Sequence, residues 1–145
     1  MRMNGAEIEA RIPHAGAMCL LEHADGWDGS GIRCRSASHR DAANPLRRNG
    51  RLHAVQLVEY AAQAAALHDY LIANPDSGDS SGKGGMLVEV REVSLGVDDA
   101  ATIGAELTIE ATAELRAAGG LIYRFRICAA DDELVTGRLT IATPA

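Results

Sequence analysis

Residues 52–72 are the most constraining stretch of this sequence, because they predict one long helix that is apolar on nearly every side. The stretch has no internal glycine or proline and is rich in good helix formers. Its apolar residues recur at helical spacing in two overlapping series, which are Val55, Val58, Ala62, Ala65 and Ala66, and Leu57, Ala61, Ala64, Leu67 and Leu71. Such a helix must be buried on nearly all sides. The rest of the chain therefore has to cover it.

The apolar pattern changes to a period of two after the polar loop at residues 74–85. Four strands are predicted there, at residues 86–95, 105–115, 120–130 and 134–143. Short turns separate the last three strands, which implies antiparallel neighbours. In the second strand one face is rich in Thr and Glu, and the other is formed by Leu107, Ile109, Ala111, Ala113 and Leu115.

The first part of the chain adds smaller elements. A short helix is predicted at residues 6–12, and strands at residues 21–27 and 31–37 flank Asp28-Gly29-Ser30, which has hairpin-turn chemistry. One helix cannot cover both faces of such a sheet. We therefore expect an α+β fold in which an antiparallel sheet curls around one long central helix, with its wetter face turned to solvent or to another subunit.

Composition narrows the class of protein further. The 145 residues suit a single domain spanning residues 1–145. A net charge of −6 and only 3% aromatic residues argue against nucleic acid or an anionic membrane as a partner. The chain has no apolar run of transmembrane length and no signal-peptide core, and its three cysteines are widely spaced. We expect a cytoplasmic protein without disulfides or a metal site.

Four segments carry a resemblance to a known family. The opening Ile12-Pro13-His14, with MCLLE at residues 18–22, resembles the opening of FabZ-type 3-hydroxyacyl-[acyl-carrier-protein] dehydratases, and VQLVEYAAQAAA resembles their central helix. Residues 85–91 resemble the strand after that helix, and residues 104–107 (GAEL) stand where the family has GDxL. Within this group the chain resembles the ApeP-like dehydratases. The resemblance implies the hotdog fold, an active site between two protomers, and no metal or redox cofactor.

One departure from the family pattern affects the chemistry. FabZ-type enzymes carry a catalytic histidine in a GHFPG segment about a dozen residues before the helix glutamate. The corresponding residues here are 44–48 (NPLRR), which contain no histidine. The catalytic pair of the family, the GHFPG histidine and the helix glutamate, therefore cannot be assigned in full to residues of this chain.

Glu59 is the candidate catalytic carboxylate. Dehydration of a 3-hydroxyacyl thioester needs a base at C2, an acid for the departing C3 hydroxyl, and N–H donors for the thioester carbonyl. Glu59 lies among apolar residues in the middle of the predicted helix, so we expect it to be desolvated with a raised pKa. Gln63, one turn later on the same face, could orient the carboxylate or hold a water. The structural alternative is a solvent-facing polar stripe that includes Glu59, or Gln63 with Gln56.

Two histidines could replace the missing imidazole. His14 corresponds to the histidine of the family's opening, which runs near the active-site helix, and the alternative is a histidine that only fixes local backbone structure. His53 lies in the first turn of the helix and points away from Glu59 of its own chain, so it could meet a Glu59 only across a dimer. His23, His39 and His68 have no evident partner and are treated as ordinary residues.

Substrate contacts are expected at the start of the helix. The N–H groups of Ala54 and Val55 should point outward with the helix dipole behind them, and the resemblance assigns one of them to the thioester carbonyl. Arg47, Arg48 and Arg51 form a small basic cluster just before the helix. This cluster is either a solvated loop or a landing site for the phosphopantetheine arm or an acidic carrier protein.

These residues predict dehydration of a 3-hydroxyacyl thioester, bound to acyl carrier protein or coenzyme A, to the trans-2-enoyl thioester. A homodimer or a higher homo-oligomer is expected. Two alternatives stay open, a hotdog thioesterase that uses Glu59 and a non-catalytic partner subunit of an active homologue.

Overall fold

The computed structural model describes residues 2–12, 16–74 and 86–143. The elements follow in the order β1 (Met3–Asn4), α1 (Gly5–Glu9), β2 (His23–Trp27), β3 (Gly31–Ser36), α2 (Val58–Ala73), β4 (Met86–Leu95), β5 (Leu107–Ala117), β6 (Gly120–Ala129) and β7 (Asp132–Ala142). A 3₁₀ turn at Ala54–Leu57 leads directly into α2.

Seven strands form one antiparallel sheet in the order β1-β2-β3-β5-β6-β7-β4. The six longer strands and the long helix confirm the predicted elements, with ends that shift by a few residues. The sequence does not predict β1, because two residues are too short to show a periodic pattern. The predicted helix at residues 6–12 is shorter and begins earlier, since the Asn4 side chain and Glu7 form a capping box at its start.

The helix α2 packs against the inward faces of β3, β5, β6 and β7. Ala61, Ala64 and Ala65 are fully buried there, and their small side chains allow the sheet to approach the helix backbone closely. The opposite side of the helix is less covered than predicted. A half-exposed stripe runs along it and consists of Glu59, Ala62, Ala66 and Asp69.

Two sequence expectations need correction. The pattern places Leu115 on the inward face of β5, but a register shift between Ala113 and Leu115 turns it outward, where it is 50% exposed. The long helix is expected from residue 52, but the α-helix begins only at Val58. The reason is that the N–H of Leu52 donates to the Asp99 carboxylate (3.0 Å) and its carbonyl accepts from the N–H of Ala100 (2.7 Å).

The outward face of the sheet is covered by alternating arginines and carboxylates, as expected for the wetter face. Arg138 pairs with Glu114 and Glu92, Arg124 pairs with Glu114, and Arg126 lies 2.7 Å from Glu133. Within the described ranges, no helix is long and apolar enough to cross a membrane.

Candidate active site

Glu59 occupies the first turn of α2 and not the middle of the helix. It is half-buried and lies on the stripe of α2 that the sheet leaves partly open. Val55, one turn earlier, is 43% exposed. Glu59 is therefore only partly shielded from solvent, because the sheet does not enclose the helix on this side. A carboxylate at this position is accessible to a ligand that approaches the open stripe.

Gln63 is fully buried one turn after Glu59. Its Oε1 accepts from the N–H of Leu20 (2.9 Å), and its Nε2 donates to the carbonyl of Met18 (2.7 Å). The alternative of an exposed polar stripe with Gln56 is thus wrong. Gln63 holds residues 18–20 against the helix, next to the turn that carries Glu59, and a direct role in orienting the carboxylate or a water stays a prediction.

A buried polar cluster supports the same segment from the other side. The carbonyl of Leu20 accepts from the hydroxyls of Ser36 (2.6 Å) and Ser38 (2.8 Å). The Ser38 hydroxyl also lies 2.7 Å from Tyr60 Oη, to which Asn44 Nδ2 donates (3.0 Å). Burial raises the pKa of Tyr60, so its hydroxyl stays neutral. Sequence reasoning missed this cluster, because its members are polar residues from segments that are distant in the chain.

The segment at residues 44–48, which lacks the family's histidine, is a loop held by hydrogen bonds to Ser38, His39 and Tyr60. Asn44 is buried and donates to the carbonyl of Ser38 (3.0 Å) as well as to Tyr60. Arg47 is half-buried, with Nη2 donating to the carbonyl of His39 (2.9 Å). This loop is a structural support next to the start of the helix.

The predicted basic cluster is therefore smaller than expected. Arg47 is turned into its own loop, whereas Arg48 and Arg51 are exposed. Arg48 Nη1 donates to the carbonyl of Arg47 (3.0 Å), and Arg51 Nε lies 3.7 Å from Asp99 Oδ2. Two guanidinium groups thus remain open to a charged ligand.

The backbone N–H groups at the start of the helix are both occupied. Ala54 is buried and its N–H donates to the carbonyl of Asp98 (2.8 Å), so the expectation that it points outward is wrong. The N–H of Val55 donates to His53 Nδ1 (3.1 Å), and this imidazole caps the helix. His53 is exposed. Of these two groups, the Val55 N–H is the one that can become available to a ligand by movement of a surface side chain.

The remaining histidines divide into two groups. His14 lies outside the described residues, and His23 is exposed. His39 and His68 do have partners that the sequence does not reveal, because both are fully buried and hydrogen-bonded. Burial lowers the pKa of both imidazoles. In the described part of the chain, no group of His, Cys, Asp and Glu side chains is arranged to hold a metal ion.

An antiparallel sheet around one long helix defines a hotdog-fold protein. The dehydratase heterocomplex ApeI:P from Xenorhabdus doucetiae shares this fold, with 26% identity, coverage of 95% of this chain and 91% of that chain, and a TM-score of 0.82. The family described as ApeP-like, ApeP dehydratase, matches residues 6–145. The chain belongs to the ApeP-like dehydratase family, as its sequence resemblance predicted.

Thioesterases share the fold at lower identity. Thioesterase superfamily member 2 from zebrafish is 14% identical with a TM-score of 0.63, and the alignment covers 97% of this chain and 95% of that chain. A mutant of the thioesterase PA1618 from Pseudomonas aeruginosa is 16% identical with a TM-score of 0.55, and the alignment covers 86% of this chain and 82% of that chain. No curated protein matches the sequence.

Proposed function

We propose that this protein dehydrates a 3-hydroxyacyl thioester, carried on acyl carrier protein or coenzyme A, to the trans-2-enoyl thioester. The observation that carries the proposal is Glu59, a half-buried carboxylate on the open stripe of the central helix in a chain of a dehydratase family. We take residues 1–145 as one catalytic domain, acting in the cytoplasm.

Glu59 is the proposed acid–base residue for the proton at C2 or the hydroxyl at C3, and His14 is its proposed partner. A half-buried carboxylate suits this role, because it is reachable by substrate and partly shielded from water. The N–H of Val55 is the proposed donor to the thioester carbonyl, where negative charge develops. Its bond to His53 must first be exchanged for a bond to substrate, which an exposed imidazole can allow.

We propose a homodimer or a higher homo-oligomer, in keeping with the partly uncovered stripe of α2. β4 is an edge strand next to β7 alone, and it exposes apolar side chains that a partner would cover: Met86, Val88, Val93 and Leu95. The ApeI:P relative is a heterocomplex, so a homologous second chain is the alternative to a second copy. Arg48 and Arg51 are the proposed contacts for the phosphopantetheine arm or the acidic carrier protein.

A thioester hydrolase is the second candidate. Because Glu59 is half-exposed, it can also activate a water or attack the carbonyl directly. A non-catalytic subunit is the third candidate, since residues 44–48 contain no histidine. Both alternatives use the same fold, but the hydrolase releases free thiol and the non-catalytic subunit alone forms no product.

One assay separates the three candidates. The purified protein is given a 3-hydroxyacyl thioester on acyl carrier protein, while the enoyl-thioester absorption and free thiol are followed together. We expect the enoyl band to rise, and Glu59→Gln to lower the rate at least about 100-fold. The matched control is Glu110→Gln, which removes a carboxylate from the outward face of the sheet.

The outcomes exclude one another. Release of free thiol without an enoyl band favours the hydrolase. If the protein alone shows no turnover, and turnover appears once a homologous partner chain is added, the non-catalytic or heteromeric subunit is favoured. Full activity in Glu59→Gln contradicts the role of that carboxylate.

A further inference from the structure

His68 is fully buried near the C-terminal end of α2 and touches two other elements. Its Nδ1 lies 2.6 Å from Tyr123 Oη on β6. Its Nε2 lies 2.7 Å from the carbonyl of Asp28, in the turn between β2 and β3. The His68 and Tyr123 rings meet edge to face, with centroids 5.5 Å apart. One side chain thus ties the β2–β3 hairpin turn to the helix and to the middle of the sheet.

The two contacts define the protonation state of the imidazole. A backbone carbonyl can only accept, so Nε2 must carry a proton and donate to Asp28. Nδ1 of the neutral ring then accepts from the Tyr123 hydroxyl. Burial raises the pKa of Tyr123, so this hydroxyl keeps its proton and remains a donor. A second proton on Nδ1 would put a charge into this buried site and force the Tyr123 hydroxyl to turn and accept, which leaves its own proton without the imidazole as acceptor.

The charged groups around His68 act in opposite directions. On α2, the neighbouring Asp69 is paired with Arg116 of β5, with Nη2 2.8 Å from Oδ1. In the hairpin turn, the Asp28 carboxylate accepts from the N–H groups of Ser30 (2.8 Å) and Gly31 (3.0 Å). Both carboxylates have partners elsewhere and favour a second proton on the ring, but burial, together with the Arg116 guanidinium, outweighs them and lowers the pKa of His68.

We propose that His68 is an acid-sensitive latch: the neutral imidazole fastens the β2–β3 hairpin to α2 and β6, and acid favours an opened hairpin in which the ring reaches water and takes up a second proton. The turn has a separate internal support, since the Asp28 carboxylate holds Ser30 and Gly31. Release therefore detaches the hairpin from the helix without unfolding its turn. The hairpin, together with β1 at that edge of the sheet, becomes the first part of the fold to open in acid.

Hydrogen exchange of backbone amides tests the latch in the full chain. The reporting amide is that of Ala113 on β5, bonded to Ser30 O of the hairpin turn. The internal control is the amide of Gly96, bonded to Leu134 O near the opposite edge of the sheet. After correction for intrinsic rates, we expect hairpin protection to fall at least about tenfold between about pH 7.5 and about pH 5, while Gly96 protection changes less.

Two variants link the change to His68. In His68→Gln the side-chain amide offers one donor and one acceptor and does not titrate, so the pH effect on the hairpin should disappear. The matched control is His23→Gln, which replaces an exposed histidine on β2 and should leave the effect intact. Tyr123→Phe removes the donor to Nδ1 and should lower hairpin protection already at about pH 7.5.

The wild-type protein also gives a readout that needs no variant. Imidazole ¹⁵N chemical shifts at neutral pH should identify His68 as the tautomer protonated at Nε2, and protonation should coincide with the loss of hairpin protection. An Nδ1-protonated tautomer, or equal loss of protection at the hairpin and at Gly96, would overturn the proposal. So would a pH effect that persists unchanged in His68→Gln.

Discussion

At the scale of single residues, Gln63 makes contacts that an apolar side chain of the same size cannot replace. Its amide satisfies the N–H of Leu20 and the carbonyl of Met18 at once. We expect Gln63→Leu to lower the free energy of unfolding by about 1–3 kcal/mol, because the buried N–H of Leu20 loses its acceptor. Urea denaturation measures this loss.

Gln56→Leu is the matched control, since Gln56 is an exposed glutamine at the start of the same helix region. It should change the free energy of unfolding by less than about 0.5 kcal/mol. Gln63→Leu could instead be as stable as wild type and lose only catalytic rate. The main role of Gln63 would then be to hold a water or to orient Glu59, as the sequence suggests.

The polar contacts around Gln63 explain why the sequence predicts site residues better than their partners. Glu59 and Gln63 can be found, because one helical turn separates them and puts them on one face. The bonds from Ser36 and Ser38 to Leu20, and from Asn44 to Tyr60, join segments that are brought together only by the folded sheet. No local pattern distinguishes such residues from ordinary loop residues.

At the scale of secondary-structure elements, the close approach of β3 and β5 depends on Gly31. A Cβ placed on Gly31 would lie 2.6 Å from the carbonyl oxygen of Ala111, a backbone atom that cannot move aside. We expect Gly31→Ala to destabilise the protein by about 1–3 kcal/mol, measured by thermal and urea denaturation. Gly29→Ala, two residues earlier in an open turn, meets nothing within 4 Å and should have little effect. Equal stability of the two variants would contradict this strand packing.

The elements themselves can be predicted wherever the periodicity is long. β4, β5, β6 and β7 each extend over ten residues or more, and their period of two identifies all four. The errors arise where a tertiary contact overrides the pattern. The bulge next to Leu115 reverses its face, and the Asp99 carboxylate keeps Leu52 out of the helix.

The edge strand β4 is expected to carry the contact between subunits. Val88 on β4 is 55% exposed, and a lysine in its place would put a charge into the proposed dimer contact. We expect Val88→Lys to raise the dimer dissociation constant at least about tenfold, by about 1.4 kcal/mol, measured by sedimentation equilibrium. Leu115→Lys is the matched control, because Leu115 is 50% exposed on β5, away from this edge. If Leu115→Lys dissociated the dimer and Val88→Lys did not, the interface would lie on another face of the molecule.

At the scale of the whole molecule, two kinds of group make the stability depend on pH. His39 and His68 have pKa values below the ordinary 6.5, because burial disfavours their charged forms. Glu114 has a pKa below 4.5, since it accepts hydrogen bonds from Arg138 and Arg124 on the outward face. Asp25 has a pKa below 3.8, mainly through its hydrogen bond with Arg35.

Both kinds of group make the folded state bind fewer protons than the unfolded chain, so acid favours unfolding in two steps. As the pH falls below 6.5, the unfolded chain protonates His39 and His68 while the folded state keeps them neutral. Below about pH 4.5 the carboxylate of Glu114 is also protonated in the unfolded chain, while in the folded state it stays ionised to lower pH. Added salt screens exposed ion pairs but not burial. Urea midpoints measured across this range, at low and high salt, should therefore show a histidine step that salt leaves unchanged and a carboxylate step that salt weakens. A stability that rises on acidification from neutral pH would show that the buried imidazoles are charged in the folded protein.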